Sequence, residues 1–270
     1  MATVQVTGKR AYYHDGGVAW REEVPFVVFL HGAGMDHTLW QQQSRALAHH
    51  GFNVAAVDLP GHGRSEDVED PSAIASIADY AAWLAAFLSA AGIARAALVG
   101  HSMGAPIALT LAAHEPDRVA ALVLVGAGLQ MKVSQDLLRD TGENMPRAVG
   151  FITAYAHGRP SHLGGAPTPG NWLLGSASAL VGASSSEVLH RDFQVCAIWD
   201  GAPLAPRVNC PTLVVAGGGD RMTPPSAGKA LAEAVPGARY ELFSRAGHML
   251  PTEEPRKLLK LLREFLAVLR

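Results

Sequence analysis

Short, almost unbroken apolar runs alternating with helix-spaced apolar residues set the tightest limit on how this chain folds. Phe26-Val27-Val28-Phe29-Leu30, Val54-Ala55-Ala56-Val57, Ala97-Leu98-Val99, Leu122-Val123-Leu124-Val125 and Thr212-Leu213-Val214-Val215 are too uniformly apolar for strands with one wet face. They suit a parallel sheet buried on both sides. Arg239 to Phe243 reads as a further strand, and Val4-Gln5-Val6 and Ala11-Tyr12-Tyr13 read as a hairpin joined through Thr7-Gly8-Lys9. Between the runs, Ile74, Ile77, Ala81, Leu84 and Leu88 share one helical face, as do Leu258, Leu261, Leu262, Phe265 and Leu269. Strand–helix alternation of this kind predicts a three-layer α/β fold. With 49% hydrophobic and 17% charged residues, the chain of 270 has the apolar material for a large core.

The alternation stops between Leu129 and Asp200, where no convincing strand occurs and Gly158 to Gly175 is rich in glycine and proline. An insertion after one strand of a regular sheet usually serves as a cap. The expected organisation is one continuous domain, with residues 1–128 and 201–270 as core and 129–200 as inserted cap. A net charge of −2 without a basic block argues against a nucleic-acid partner. Apolar stretches such as Val119 to Val125 are far too short to span a bilayer. The segment Met1 to Gly17 has no apolar core of a secretory signal, and Cys196 and Cys210 read as buried thiols, so a cytoplasmic protein is expected. No dinucleotide fingerprint or phosphate loop occurs, which predicts no cofactor. Oligomeric state is left open.

The segment Gly100-His101-Ser102-Met103-Gly104 joins an apolar run to the helical pattern Pro106 to Ala112. A serine on a tight strand-to-helix turn can be an exposed nucleophile, with small residues two before and two after it where the elements crowd. It can equally be a plain helix cap. Four further segments follow apolar runs: His31-Gly32-Ala33-Gly34, Asp58-Leu59-Pro60-Gly61-His62-Gly63-Arg64-Ser65, Gly217-Gly218-Gly219-Asp220 and Ala246-Gly247-His248. In a parallel sheet all five converge on one edge, where ligands bind.

On these segments, in the order Ser…Asp…His, the chain resembles the serine hydrolases of the α/β-hydrolase superfamily over nearly its whole length. The resemblance implies a mostly parallel eight-stranded sheet with helices on both faces and a helical cap. It gives Ser102 the role of nucleophile, His248 that of general base and Asp220 that of the acid that orients the imidazole. It places the oxyanion hole at the backbone N–H groups of Ala33 and Met103. Asp220 also suits a helix cap before Thr223-Pro224-Pro225.

His31 is expected to fix its loop, Asp58 to shape a turn and His101 to pack or bond locally. His49, His50, His157 and His162 lack metal-ligand spacing and read as solvated surface residues, so no metal is expected. Gly32, Phe151, Leu163, Trp172 and Leu173 are candidate substrate contacts on an apolar pocket wall. The implied reaction is hydrolysis of a small or medium carboxylic ester by water through an acyl-enzyme. Thioester, lactone, amide, perhydrolase or carbon–carbon bond chemistry reuses the same groups. The carbon–carbon reading gains weight if Arg147, Arg159 or Arg191 faces a carboxylated substrate. A ligand-sensing signalling protein that keeps the triad is the alternative of another class.

Overall fold

The apolar runs pair into one eight-stranded sheet in the computed structural model, which describes residues 2–269. β1 (Ala2–Val6) and β2 (Lys9–His14) form the N-terminal hairpin, and β2 adds antiparallel to β4 (Asn53–Val57). β3 (Phe26–Leu30), β5 (Ala96–His101), β6 (Val119–Val125), β7 (Thr212–Gly217) and β8 (Arg239–Phe243) complete the order β1-β2-β4-β3-β5-β6-β7-β8. From β4 to β8 every pairing is parallel.

Burial follows the composition. The central strands β4, β5 and β7 are buried along their whole length, whereas β1 at the sheet edge alternates in and out. Helices cover both faces, as expected. They are α1 (Gln41–His49), α2 (Ile77–Ala90), α3 (Gly104–His114), α9 (Pro225–Ala234) and α11 (Pro255–Leu266), with the one-turn α10 (Leu250–Glu253) before the last. α2 shows why a helix starts where it does. Ser76 accepts a hydrogen bond from the Asp79 N–H, and Asp79 in turn accepts from the Ala75 N–H and the Ser76 hydroxyl. Ile77, Ala81, Leu84 and Leu88 then pack inward.

Between β6 and β7 the chain leaves the sheet and forms α4 (Gln135–Glu143), α5 (Met145–Ala156), α6 (Arg159–His162), α7 (Leu173–Gly182) and α8 (Ser186–Ile198). At the neck of this insertion Gln130 and Asp200 form an isolated bridge, and the Gly201 N–H donates to Leu129 O at 2.8 Å. Cys196 is buried, while Cys210 is only half-buried, and both are free thiols. No helix among the described residues is long and apolar enough to cross a membrane.

Candidate active site

Because β3 to β8 run parallel in register, the loops after them open on one edge of the sheet. At the end of β5, Ser102 adopts φ +51°, a left-handed conformation that costs a non-glycine residue energy. Its N–H is tied to Val125 O at 2.9 Å. The flanking glycines answer to close backbone approach. A Cβ on Gly104 would stand 2.5 Å from Leu30 O, and one on Gly100 would collide with Gly104 O. The helix-cap reading of Ser102 fails. α3 has no side-chain cap hydrogen bond, and the serine side chain lines a cavity instead.

Asp220 bonds on two sides, one with each oxygen, but the expected helix cap is corrected: α9 starts at Pro225 with no side-chain cap hydrogen bond, and Asp220 closes the turn before it. Oδ1 accepts from the Met222 and Thr223 N–H groups at 2.8 and 2.7 Å, and Oδ2 accepts from His248 Nδ1 at 2.7 Å. Since a carboxylate only accepts, Nδ1 donates this bond, which leaves Nε2 as the acceptor nitrogen of the neutral ring. His248 is buried, lines the same cavity as Ser102, and makes no hydrogen bond to Ser102 Oγ in this structure. Such contacts are often loose until substrate binds.

Two ties hold the His248 loop from behind. Its N–H donates to Ala156 O, at the end of α5, at 2.7 Å. Its carbonyl accepts from His101 Nε2 at 2.9 Å. The expected local bonding of His101 is thus corrected, since its partner lies on a different strand loop. Burial and the neighbouring His248 ring push the His101 imidazole down to about 3, so it is neutral. Next to this loop, buried Glu253 accepts from Gly247 N–H with one oxygen, and from Gly158 N–H and the Ser161 hydroxyl with the other.

The loop after β3 carries Ala33. The N–H groups of Ala33 and Met103 donate to no acceptor among the described residues. A Cβ on Gly32 would lie 3.0 Å from the Ser102 Cβ, so Gly32 brings this loop close to the serine. His31 sits beneath the loop, with Nδ1 on Gly32 O at 2.8 Å and Nε2 accepting from Leu59 N–H at 3.1 Å. Burial and His62 lower it to about 4. Asp58 accepts from the His37 N–H, the His37 ring and the Arg64 N–H, which shapes the turn after β4. Asp36, His37 and Asp58 approach one another closely, but their polar atoms already bond within these two turns.

Sequence reasoning missed the fully buried Asp192 on α8. Its carboxylate accepts from Gly34 N–H at 2.9 Å, His62 Nε2 at 2.8 Å and Tyr80 OH at 2.7 Å. Burial alone would lower the His62 imidazole, but the Asp192 charge and hydrogen bond outweigh it and raise it. Burial likewise pushes Asp192 up, and His62, Tyr80 and the Gly34 N–H hold it below the usual range. The signal was present: Asp192 falls on the apolar stripe of α8 with Val188, Leu189, Val195 and Cys196, where a charge needs a buried partner.

The cavity in front of Ser102 is small, with a volume of about 50 Å³. Its wall is mainly apolar, formed by Met35, Met131, Val133, Leu137, Ile152, Phe193 and Met222, with Lys132 as its one Lys or Arg. The expected wall residues are elsewhere. Phe151 stacks on Tyr155, Leu163 and Trp172 are exposed, and Leu173 is buried facing a separate groove. The arginines are also elsewhere: Arg191 binds Asp67, Pro60 O and Tyr80, Arg147 pairs with Asp140, and Arg159 lies outside the lining. His49, His50 and His162 are exposed, but His157 is buried, with Nδ1 on Thr153 O.

The fold has a family counterpart. A family model described as alpha/beta hydrolase fold matches residues 25–255, and the chain belongs to that family. Among its relatives, a Caulobacter sp. (strain K31) protein named "Putative carbamate hydrolase RutD" is 30% identical, covering 94% of each chain. A 2-hydroxy-6-oxononadienedioate/2-hydroxy-6-oxononatrienedioate hydrolase of Burkholderia vietnamiensis is also 30% identical, over 96% of this chain and 92% of that one. The crystal structure of the enol-lactonase from Burkholderia xenovorans LB400 superposes with a TM-score of 0.88 at 24% identity, covering 98% of this chain and 100% of that one. That last likeness is one of fold.

Proposed function

We propose that this α/β hydrolase is a serine hydrolase that cleaves a small or medium carboxylic ester, with Ser102, His248 and Asp220 as its triad. The observation that carries the reading is one cavity walled by both Ser102 and His248, with the His248 ring fixed through Nδ1 by Asp220. Ser102 Oγ attacks the ester carbon while Nε2 takes its proton, and Asp220 stabilises the resulting imidazolium. The oxyanion is met by the N–H groups of Ala33 and Met103, which have no other acceptor. The C–O bond then breaks, and the alcohol leaves with the proton from Nε2. Water attacks the acyl-enzyme by the same route and releases the acid. Residues 129–200 act as the cap, since Met131, Lys132, Val133, Leu137, Ile152 and Phe193 of the wall come from it.

Lys132 favours a second reading, a carbon–carbon bond hydrolase for a substrate with a distal carboxylate. The Burkholderia vietnamiensis relative is named for hydrolysis of such a dioate. Fluorophosphonate labelling, with mapping of the modified residue, tests the serine, and labelling away from Ser102 overturns the reading. A panel of p-nitrophenyl esters with and without a terminal carboxylate separates the two substrate classes. If Lys132 binds carboxylate, Lys132→Met raises KM about tenfold for carboxylated members only. Steady turnover also separates an enzyme from a ligand sensor, which would give one slow acyl transfer.

A further inference from the structure

The loop that carries Ala33 is held from outside the sheet. Gly34 adopts φ +64°, and a Cβ there would collide with Leu189 of α8. Its N–H is bound by Asp192 of the same helix, 158 positions away in sequence. Asp192 is itself fixed from two further elements, by His62 after β4 and by Tyr80 of α2. His62 donates from both nitrogens, to Pro60 O and to the Asp192 carboxylate, because neither partner can donate. The carboxylate therefore meets an imidazolium, two hydrogen-bond donors and no solvent.

We infer that Asp192 is a positioning residue for catalysis, which orients the Ala33 N–H toward the developing oxyanion by holding its neighbour Gly34. The inference rests on the reading of Ala33 as an oxyanion donor. The physical reason is geometric. The Ala33 N–H lies in the Gly32–Ala33 peptide plane and the Gly34 N–H in the next one, joined at the Ala33 Cα, so tying the second limits how far the first can turn. A donor misplaced by a fraction of an ångström loses much of its effect on the transition state. The insertion thus contributes to the reaction centre without touching substrate at this point.

The test compares Asp192→Ala, Asp192→Leu and Asp192→Asn with the wild-type protein, each checked for a native circular-dichroism spectrum. Alanine and leucine remove the acceptor, and leucine keeps roughly the volume. Asparagine can turn its oxygen to Gly34 and His62 and its NH2 to the Tyr80 hydroxyl. We expect Ala and Leu to lower kcat about 10²-fold with KM within about threefold, the size of effect seen when one oxyanion donor is lost. The rate of fluorophosphonate labelling falls in parallel, and Asn retains kcat within about tenfold of wild type. A kcat within threefold of wild type in Ala or Leu overturns the inference. So does a native-like Asn variant as slow as Ala, or a change carried mainly by KM. If neither Ala nor Leu folds, the Asn variant decides: a native-like Asn protein with kcat more than about tenfold below wild type overturns the inference. Absence of labelling in the wild-type protein would instead overturn the reading of Ser102.

Discussion

Replacing the side chain of Ser102 by a methyl group removes the proposed nucleophile while leaving its strained backbone and the buried His248–Asp220 pair in place. Ser102→Ala is expected to lower ester hydrolysis on the order of 10⁴-fold or more, as triad deletions do. A rate within tenfold of wild type, measured with p-nitrophenyl esters, would remove Ser102 from the mechanism. Ser102, Asp220 and His248 were legible in the sequence because each follows an apolar run by a few residues. Asp192 and His101 were not. Their partners, Gly34 and His248, lie 158 and 147 positions away, and only the folded sheet brings them together. For Asp220 two sequence readings competed for one side chain; Oδ2 meets His248, while Oδ1 closes the Met222–Thr223 turn rather than capping α9.

Among the elements, the β5–α3 junction tolerates added atoms poorly. A methyl on Gly100 meets the backbone of Gly104 and Ala105, which cannot swing aside as a side chain would. Gly100→Ala is expected to cost on the order of 3 kcal/mol. Thermal unfolding would show this as a drop of roughly 6–12 °C, and an unchanged Tm would mean that α3 can shift along β5. The insertion shows where sequence patterns stop. Periodicity identifies helices there, yet which face meets the cavity depends on how each docks. In α5, Ile152 faces the cavity while adjacent Phe151, turned by about 100°, stacks on Tyr155. Ties through Asp192 on α8 and Ala156 at the end of α5 fix that docking, and neither was readable beforehand.

For the whole molecule, buried neutral histidines set the response to acid. His31 and His101 titrate at about 4 and about 3 in the fold, against 6.5 for an ordinary imidazole. Below pH 6.5 the unfolded chain therefore binds more protons than the folded one, and stability falls as pH falls. Each ring loses on the order of 3 kcal/mol before it is protonated in the fold. Asp58 and Asp192, held below the ordinary 3.8, add a loss in the same direction as pH falls through that range. His62 has the opposite sign: it is raised, so its contribution is full below 6.5 and is lost as pH rises. The net expectation is a Tm lower by roughly 10 °C at pH 4 than at pH 7 by calorimetry, and a flat profile would contradict the neutral state of both rings. The joint between Gly34 and Asp192 bears on the order of events as the chain folds. Closing so long a loop of chain is slow and is rewarded only after the sheet and helices on either side exist. If Asp192 positions the Ala33 N–H, secondary structure is expected to form first in a refolding molecule and turnover to return only when α8 docks.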